Sequence, residues 1–175
     1  PKSAFLFFCI FIFFAVFYSA KPIRAKTKPF FDSFFSAGHY IATGIFGYYL
    51  NGGGAFPYEG VLAGMLWAIA MHAYSAVPDI HADSEAKMQT IATKLGGLKT
   101  LILCMFLYLG SAIFAYKILG ITGALCGFVY IFLMGISIKK RNNPDGLFHI
   151  YTFFPYVNMI IGMVITIVFL LQYVF

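Results

Sequence analysis

EGVLAGMLWAIAMHAYSAVPDIHADSEAK, residues 59–87, decides how this chain is to be read. Its first part, Glu59 to Val77, is almost wholly apolar and close to the roughly 20 residues a helix needs to cross a lipid bilayer. Its last part, PDIHADSEAK, turns abruptly polar and sets two aspartates four apart, Asp79 and Asp83. The first part predicts a membrane span; the second asks why paired acids stand where that span ends.

Working outward, the apolar pattern recurs on both sides. Further spans are predicted over Ser3–Ala20, Ser33–Leu50, Leu98–Lys117, Leu119–Ile138 and His149–Tyr173, which makes six with Glu59–Val77. Composition agrees: 61% of the 175 residues are hydrophobic and only 10% charged, against about 25% charged in an ordinary soluble domain. The runs lack the strict alternation of a membrane barrel. The expected fold class is therefore all-α, a multi-span transmembrane helical bundle. Residues 1–175 read as a single transmembrane domain without internal repeats. The apolar run from Ser3 lacks a small-residue cleavage site and is followed by further spans, so it reads as a mature helix rather than a signal peptide. Its phenylalanines, FLFFCIFIFFAVF, read as lipid-facing and packing surface.

The formal net charge is +6, but the charges are arranged as membrane topology rather than as a nucleic-acid surface. Lys21, Arg24, Lys26 and Lys28 follow the first span, Lys87, Lys94 and Lys99 the third, and Lys139, Lys140 and Arg141 the fifth. The loop NGGGAFPYEG after the second span has no basic residue, and the turn after the fourth has only Lys117. The basic side of such a protein faces the cytoplasm. Five of the six acidic residues lie on that side, Glu59 being the exception. Cys9, Cys104 and Cys126 sit inside apolar runs with no metal-ligand spacing, and read as small buried hydrophobes.

Asp79 and Asp83, at i and i+4, share a face if helical. Extended backwards, that face takes in Ser75 and His72, so one stripe is expected to run from inside the membrane to its edge, bent near Pro78. Two carboxylates a turn apart repel each other unless a cation joins them. Mg²⁺ suits that role, since it commonly takes one or two carboxylates with substrate phosphates completing its shell. The alternative is a solvated loop of ordinary charges, with Glu85, Lys87 and Lys94 nearby. On the same side, YSAKPIRAKTKPFFD, residues 18–32, gathers four cations. It reads either as a topology signal touching anionic lipid or as an anion clamp, in which Arg24 forks onto phosphate oxygens and Lys26 adds a compact charge. Acids and cations at one membrane edge suggest a Mg²⁺–diphosphate site. His72, Ser75 and Asn158 are polar residues inside spans, candidates for lining a cavity or for helix–helix hydrogen bonds. His39 and His149, at span ends, read as interfacial.

In these two loops the sequence resembles the UbiA superfamily of intramembrane prenyltransferases. YSAKPIRAK is similar to the family's Tyr-Ser-x-x-x-x-Arg-x-Lys loop. HAYSAVPDIHADSEAKMQTIATKLGG is similar to its second aspartate motif with the Thr and Leu-Gly that follow. Within the superfamily, FSAGHYIATGIFGYYL and MHAYSAVPDIHADSEA look closest to lycopene-elongase-type carotenoid enzymes. The family has nine helices, so the six spans here would be helices four to nine. Its first aspartate motif, between helices two and three, has no counterpart. The chain is accordingly expected to be the C-terminal two-thirds of a longer protein, or a degenerate half. His81 stands where the family often has an acid, and Lys87 where it often has Gly.

The resemblance implies Mg²⁺-dependent transfer of a prenyl group from an allylic prenyl diphosphate to a lipophilic acceptor: a carotenoid, a quinone precursor or a lipid. It implies metal ligation by Asp79 and Asp83, diphosphate binding by Tyr18, Arg24 and Lys26, and a catalytic set of Asp79, Asp83 and Lys26. The expected partners are the two substrates and the lipid bilayer, with no nucleic acid. The competing readings are a cation-coupled membrane transporter and a non-catalytic truncated membrane protein.

Overall fold

The computed structural model describes residues 1–173; the last two residues of the expected domain lie outside the described residues. The helices, in chain order, are α1 (Lys2–Ser19), α2 (Phe31–Leu50), α3 (Tyr58–Ser75), α4 (Ile80–Glu85), α5 (Ile91–Leu95), α6 (Gly97–Leu119), α7 (Ile121–Lys140) and α8 (Pro144–Tyr173). A short 3-10 turn, Ala25–Thr27, lies between α1 and α2. There is no strand among the described residues. The six long helices coincide with the six expected spans, and the fold is a helical membrane bundle.

Four of them, α1, α6, α7 and α8, are long and apolar enough to cross a membrane by length and composition alone. The other two, α2 and α3, have 20 and 18 residues. Their apolarity is diluted by residues such as Asp32, Ser33, Ser36, His39 and His72. Burial explains how they tolerate this: α2 turns Asp32, Ser33 and Ser36 inward. Polar groups in an apolar medium need protein partners, and an inner helix supplies them. By contrast α1 is exposed over most of its length, with Phe5, Phe8 and Phe13 facing outward, as its composition predicts for a lipid-facing helix.

In sequence order α1 packs on α2, α2 on α3, α3 on α6, α6 on α7, and α8 on α7 and α6. The centre lies among α3, α6, α7 and α8. Tyr74, Leu101, Cys104, Tyr108 and Met134 are fully buried there. Tyr108 and Tyr130 stack at 4.7 Å, and Tyr74 meets Phe154 edge to face at 5.0 Å. Two tyrosine tips, those of Tyr74 and Tyr130, are tied across helices, whereas the buried Tyr108 hydroxyl has no hydrogen-bond partner among the described residues. The Ser137 hydroxyl donates to the Leu133 carbonyl, so Tyr74 donates to Ser137, at 3.0 Å. Tyr130 donates to the Asn158 side chain at 2.8 Å. Ser111 donates to the Ala63 carbonyl at 2.8 Å and the Cys104 thiol to the Ala70 carbonyl at 3.4 Å, stapling α6 to α3. All three cysteines are free.

Two boundaries differ from the sequence expectation in a way that matters. The last helix begins at Pro144 rather than His149. Proline is favoured at a first helical position, where its missing N–H costs nothing. The expected stripe from His72 to Asp83 is not one helix: α3 stops at Ser75 and α4 starts only at Ile80. Pro78 lacks a donor and disfavours helical geometry at the residue before it, so Ala76–Pro78 form a turn instead of a bend.

The α6–α7 hairpin turns on a single residue, Gly120, at φ +57°, a value side-chain-bearing residues rarely adopt. Beyond it, Gly123 and Gly127 let the helices close tightly. A Cβ at Gly123 would strike the Ala115 carbonyl, and one at Gly127 the Cβ of Ala112. Replacing Gly123 by Leu is therefore expected to cost about 1–3 kcal/mol through overpacking, seen as a lowered melting temperature in detergent. Gly135→Ala, where an added Cβ meets nothing within 4 Å, is the control and is expected to leave it unchanged or raise it slightly, Ala being the better helix former.

Candidate functional site at the charged end of the bundle

One end of the bundle carries the C-termini of α1, α3 and α7, the N-termini of α2, α6 and α8, and both short helices. Contacts across it establish the grouping. A surface cavity of about 550 Å³ is lined jointly by Val77, Ile80 and His81, by Gly97 and Leu98, and by Arg141 and Leu147. Both loops singled out in the sequence lie at this end.

The cationic loop is held by local contacts. Ala25, fully buried, anchors it. Arg24 adopts a left-handed conformation, φ +47°, which costs an ordinary residue about 1–2 kcal/mol. Hydrogen bonds offset this: the Arg24 N–H donates to the Ala20 carbonyl at 2.8 Å, and the Arg24 carbonyl accepts the Thr27 N–H at 3.1 Å and its hydroxyl at 3.0 Å. The Arg24 side chain is exposed and that of Lys26 half-buried.

The acidic loop is less buried. Asp79 is exposed and precedes α4 with no side-chain cap bond, and Asp83 is half-buried. Asp83 Oδ2 accepts the Thr90 hydroxyl at 3.3 Å. His81 pairs with Glu85 at 3.5 Å, but both side chains are largely exposed, 89% and 72%. A solvated pair of this kind contributes little to stability. Ser75 donates its hydroxyl to the His72 carbonyl at 2.7 Å, within its own helix. His72 meets the ring of Tyr18 edge to face at 6.0 Å, bringing α3 against the end of α1. Tyr18 is within electrostatic reach of both Asp32 and Asp83. Tyr18 and His72 are thus in contact and Asp83 is tied to Thr90, whereas Arg24 and Lys26 share their end of the bundle without a direct bond to either acid. Asn158 lies elsewhere. With Tyr130, Trp67 and Tyr108 it lines an apolar cavity of about 360 Å³ among α3, α6, α7 and α8, which has no charged lining residue.

The residue that sequence reasoning passed over is Asp32. It is 1% exposed. Its Oδ1 accepts the Ser33 N–H at 2.8 Å and its Oδ2 the Ile91 N–H at 2.8 Å, across 59 positions of chain. Ile91 opens α5, whose cap is Thr90. The Thr90 N–H donates to the Thr93 hydroxyl at 2.8 Å, and the Thr93 N–H to the Thr90 hydroxyl at 3.3 Å. The N-terminal N–H groups of a helix have no partner within it. Asp32 satisfies one in α2 and another in α5. The signal was an acid at the start of an apolar run, opposite a Thr-x-x-Thr capping pattern.

The chain is similar to a lycopene elongase/hydratase of Haloarcula japonica, 36% identical over 154 residues, covering 86% of this chain and 50% of that protein. A protein of the same name from Haloferax volcanii is 34% identical over 166 residues, 95% of this chain and 54% of that one. One from Corynebacterium glutamicum is 33% identical over 98 residues, 55% of this chain and 34% of that protein. The chain spans about half the length of the archaeal relatives it matches. No family model matches it, and no solved structure does.

Lys87 sits at φ +55°, in the region that favours glycine, with its side chain exposed. Lys87→Gly is therefore expected to stabilise the loop by about 1 kcal/mol, measured as a higher melting temperature. A fall in melting temperature would show that the lysine side chain contributes more than its backbone costs.

Proposed function

We propose that the full-length protein transfers a prenyl group from an allylic prenyl diphosphate to a carotenoid, in a Mg²⁺-dependent reaction of the UbiA type. One observation carries the reading: the cationic loop and the acidic loop, far apart in sequence, lie at the same end of the bundle, where ten of the twelve Lys and Arg residues also stand. The relatives' name, lycopene elongase/hydratase, supports a carotenoid as acceptor. The excess of Lys and Arg at this end supports a cytoplasmic orientation.

The donor set fits Mg²⁺ in part. Among the described residues there is no cluster of three or more His, Cys, Asp or Glu able to hold a metal ion by themselves. Mg²⁺ does not require one, since phosphate oxygens and water commonly complete its shell. Asp79 has no cap bond to satisfy, and Asp83 accepts a hydrogen bond on Oδ2 alone, so hard carboxylate oxygens remain available. Bound by Asp79 and Asp83, Mg²⁺ would neutralise the negative charge that builds on the departing diphosphate.

The residues then divide the work. Arg24 forks onto diphosphate oxygens, Lys26 adds a point charge, and the Tyr18 hydroxyl donates to an oxygen of the leaving group. The allylic C–O bond breaks with both electrons going to oxygen. An acceptor double bond attacks the resulting allylic cation, forming a C–C bond and a new cation on the acceptor. That cation loses a proton to give an alkene, or takes up water and loses a proton to give an alcohol. Positive charge placed where negative charge develops accelerates the first step. Keeping water from the allylic cation before the acceptor attacks protects the second.

The test is made with full-length protein in liposomes, supplied with an allylic diphosphate and lycopene and assayed by the mass of the carotenoid product. Asp79→Asn and Asp83→Asn are each expected to lower turnover by about 100-fold or more, and EDTA to abolish it until Mg²⁺ is restored. Full activity in both variants would remove the basis of the proposal. Cation flux across the liposome membrane without any product would favour a transporter instead.

A further inference from the structure

The proposed reaction leaves one buried charge without a role. The Asp32 carboxylate is engaged within the protein rather than turned to the open charged end: each oxygen accepts a backbone N–H at 2.8 Å, and the residue is 1% exposed. It forms no ion pair, the one among the described residues being His81–Glu85, although the His72 imidazole lies within electrostatic reach. A buried carboxylate is costly unless hydrogen bonds replace its water, and these two do.

What it joins suggests why it is kept. Its backbone belongs to the cationic loop: the Asp32 N–H donates to the Lys28 carbonyl at 3.0 Å, and the Lys28 N–H to the Ala25 carbonyl at 2.9 Å. Its side chain grips Ile91, next to Thr90. The Thr93 hydroxyl donates to the Thr90 carbonyl at 3.0 Å, leaving the Thr90 proton for Asp83 Oδ2 at 3.3 Å. A continuous path therefore runs from the cationic turn through Asp32, Ile91 and Thr90 to Asp83. We propose that Asp32 is a positioning residue: by fixing the Thr90 loop it aims the Asp83 carboxylate and sets its separation from Arg24 and Lys26, so that both loops engage one Mg²⁺–diphosphate. This rests on the function proposed above and extends it to a residue outside the two motifs.

The experiment uses full-length protein in lipid nanodiscs. Two quantities are read: amide hydrogen exchange by mass spectrometry without ligand, and the Mg²⁺ concentration for half-saturation with inorganic diphosphate as the probe. Asp32→Asn keeps the shape but has one acceptor oxygen for two N–H groups. It is expected to speed exchange over residues 89–95, leave residues 104–112 of α6 protected, and raise half-saturating Mg²⁺ about 10-fold. Thr90→Val, which removes only the hydroxyl link to Asp83, should reproduce the Mg²⁺ effect, and Thr90→Ser should restore wild-type behaviour. Unchanged exchange over residues 89–95 in Asp32→Asn overturns the proposal. So does faster exchange with an unaltered Mg²⁺ requirement, which would make Asp32 merely structural. If Asp32→Asn also exposes α6, the fold is lost and the Thr90 pair decides. Failure of the wild-type protein to bind Mg²⁺ with diphosphate sinks the proposed function itself, and is separated from the other outcomes because no variant is involved.

Discussion

The contact between the Asp32 carboxylate and the Ile91 N–H is the constraint on which the charged end of this bundle depends. Helix packing brings α2 against α3, and α3 against α5, but it does not fix how the loops between them lie. Long helices in an apolar medium slide and rotate with little penalty, because a lipid tail is as good a neighbour as a leucine side chain. A directed bond from a buried charge is different in kind. It has a length, an angle and no substitute from water, so it converts loose adjacency into a defined separation. Asp32 does this for two helix starts at once, and each gains a partner for an N–H that would otherwise lack one.

The same logic explains the interior. The tyrosines at the centre are large apolar bodies with polar tips. Tyr74 and Tyr130 each reach a partner on another helix. Such pairs register α3 on α7 and α7 on α8, whereas Gly123 and Gly127 let α6 and α7 approach closely. The bundle thus uses small residues for proximity and hydroxyls for register. The outer surface, rich in phenylalanine on α1, needs neither.

How much of this was legible in the sequence depended on the length scale of the cause. The six helices were, because a span is decided by summed apolarity over some twenty residues. So was the gathering of the two loops at one end, which follows from counting spans. Helix ends were less so. The run from His72 to Asp83 looked like one face of one helix, since spacing carries no information on whether the backbone continues through Pro78. The start of α8 at Pro144 was hidden because its first turns are polar and resemble loop. Lys87 stands at a positive φ, a backbone conformation that favours glycine. Asp32 escaped because its importance lies in a partner 59 residues away; nothing local distinguishes a carboxylate facing water from one seated on a distant helix start.

The break at Pro78 shows why that long-range information matters to chemistry. Had α3 continued, Asp83 would stand eight residues beyond Ser75, about 12 Å further along the axis at 1.5 Å per residue. It would then project into water, away from Tyr18 and the cationic turn. Ending the helix at Ser75 lets the chain turn and restart, so that Asp83 comes under the Thr90 hydroxyl and within reach of Tyr18. The proline that interrupts the stripe is therefore what permits Asp83 to meet the Thr90 hydroxyl. A single unbroken helix would have to carry Pro78 in its interior, at a cost of about 3 kcal/mol, and would leave Asp83 without the Thr90 hydroxyl.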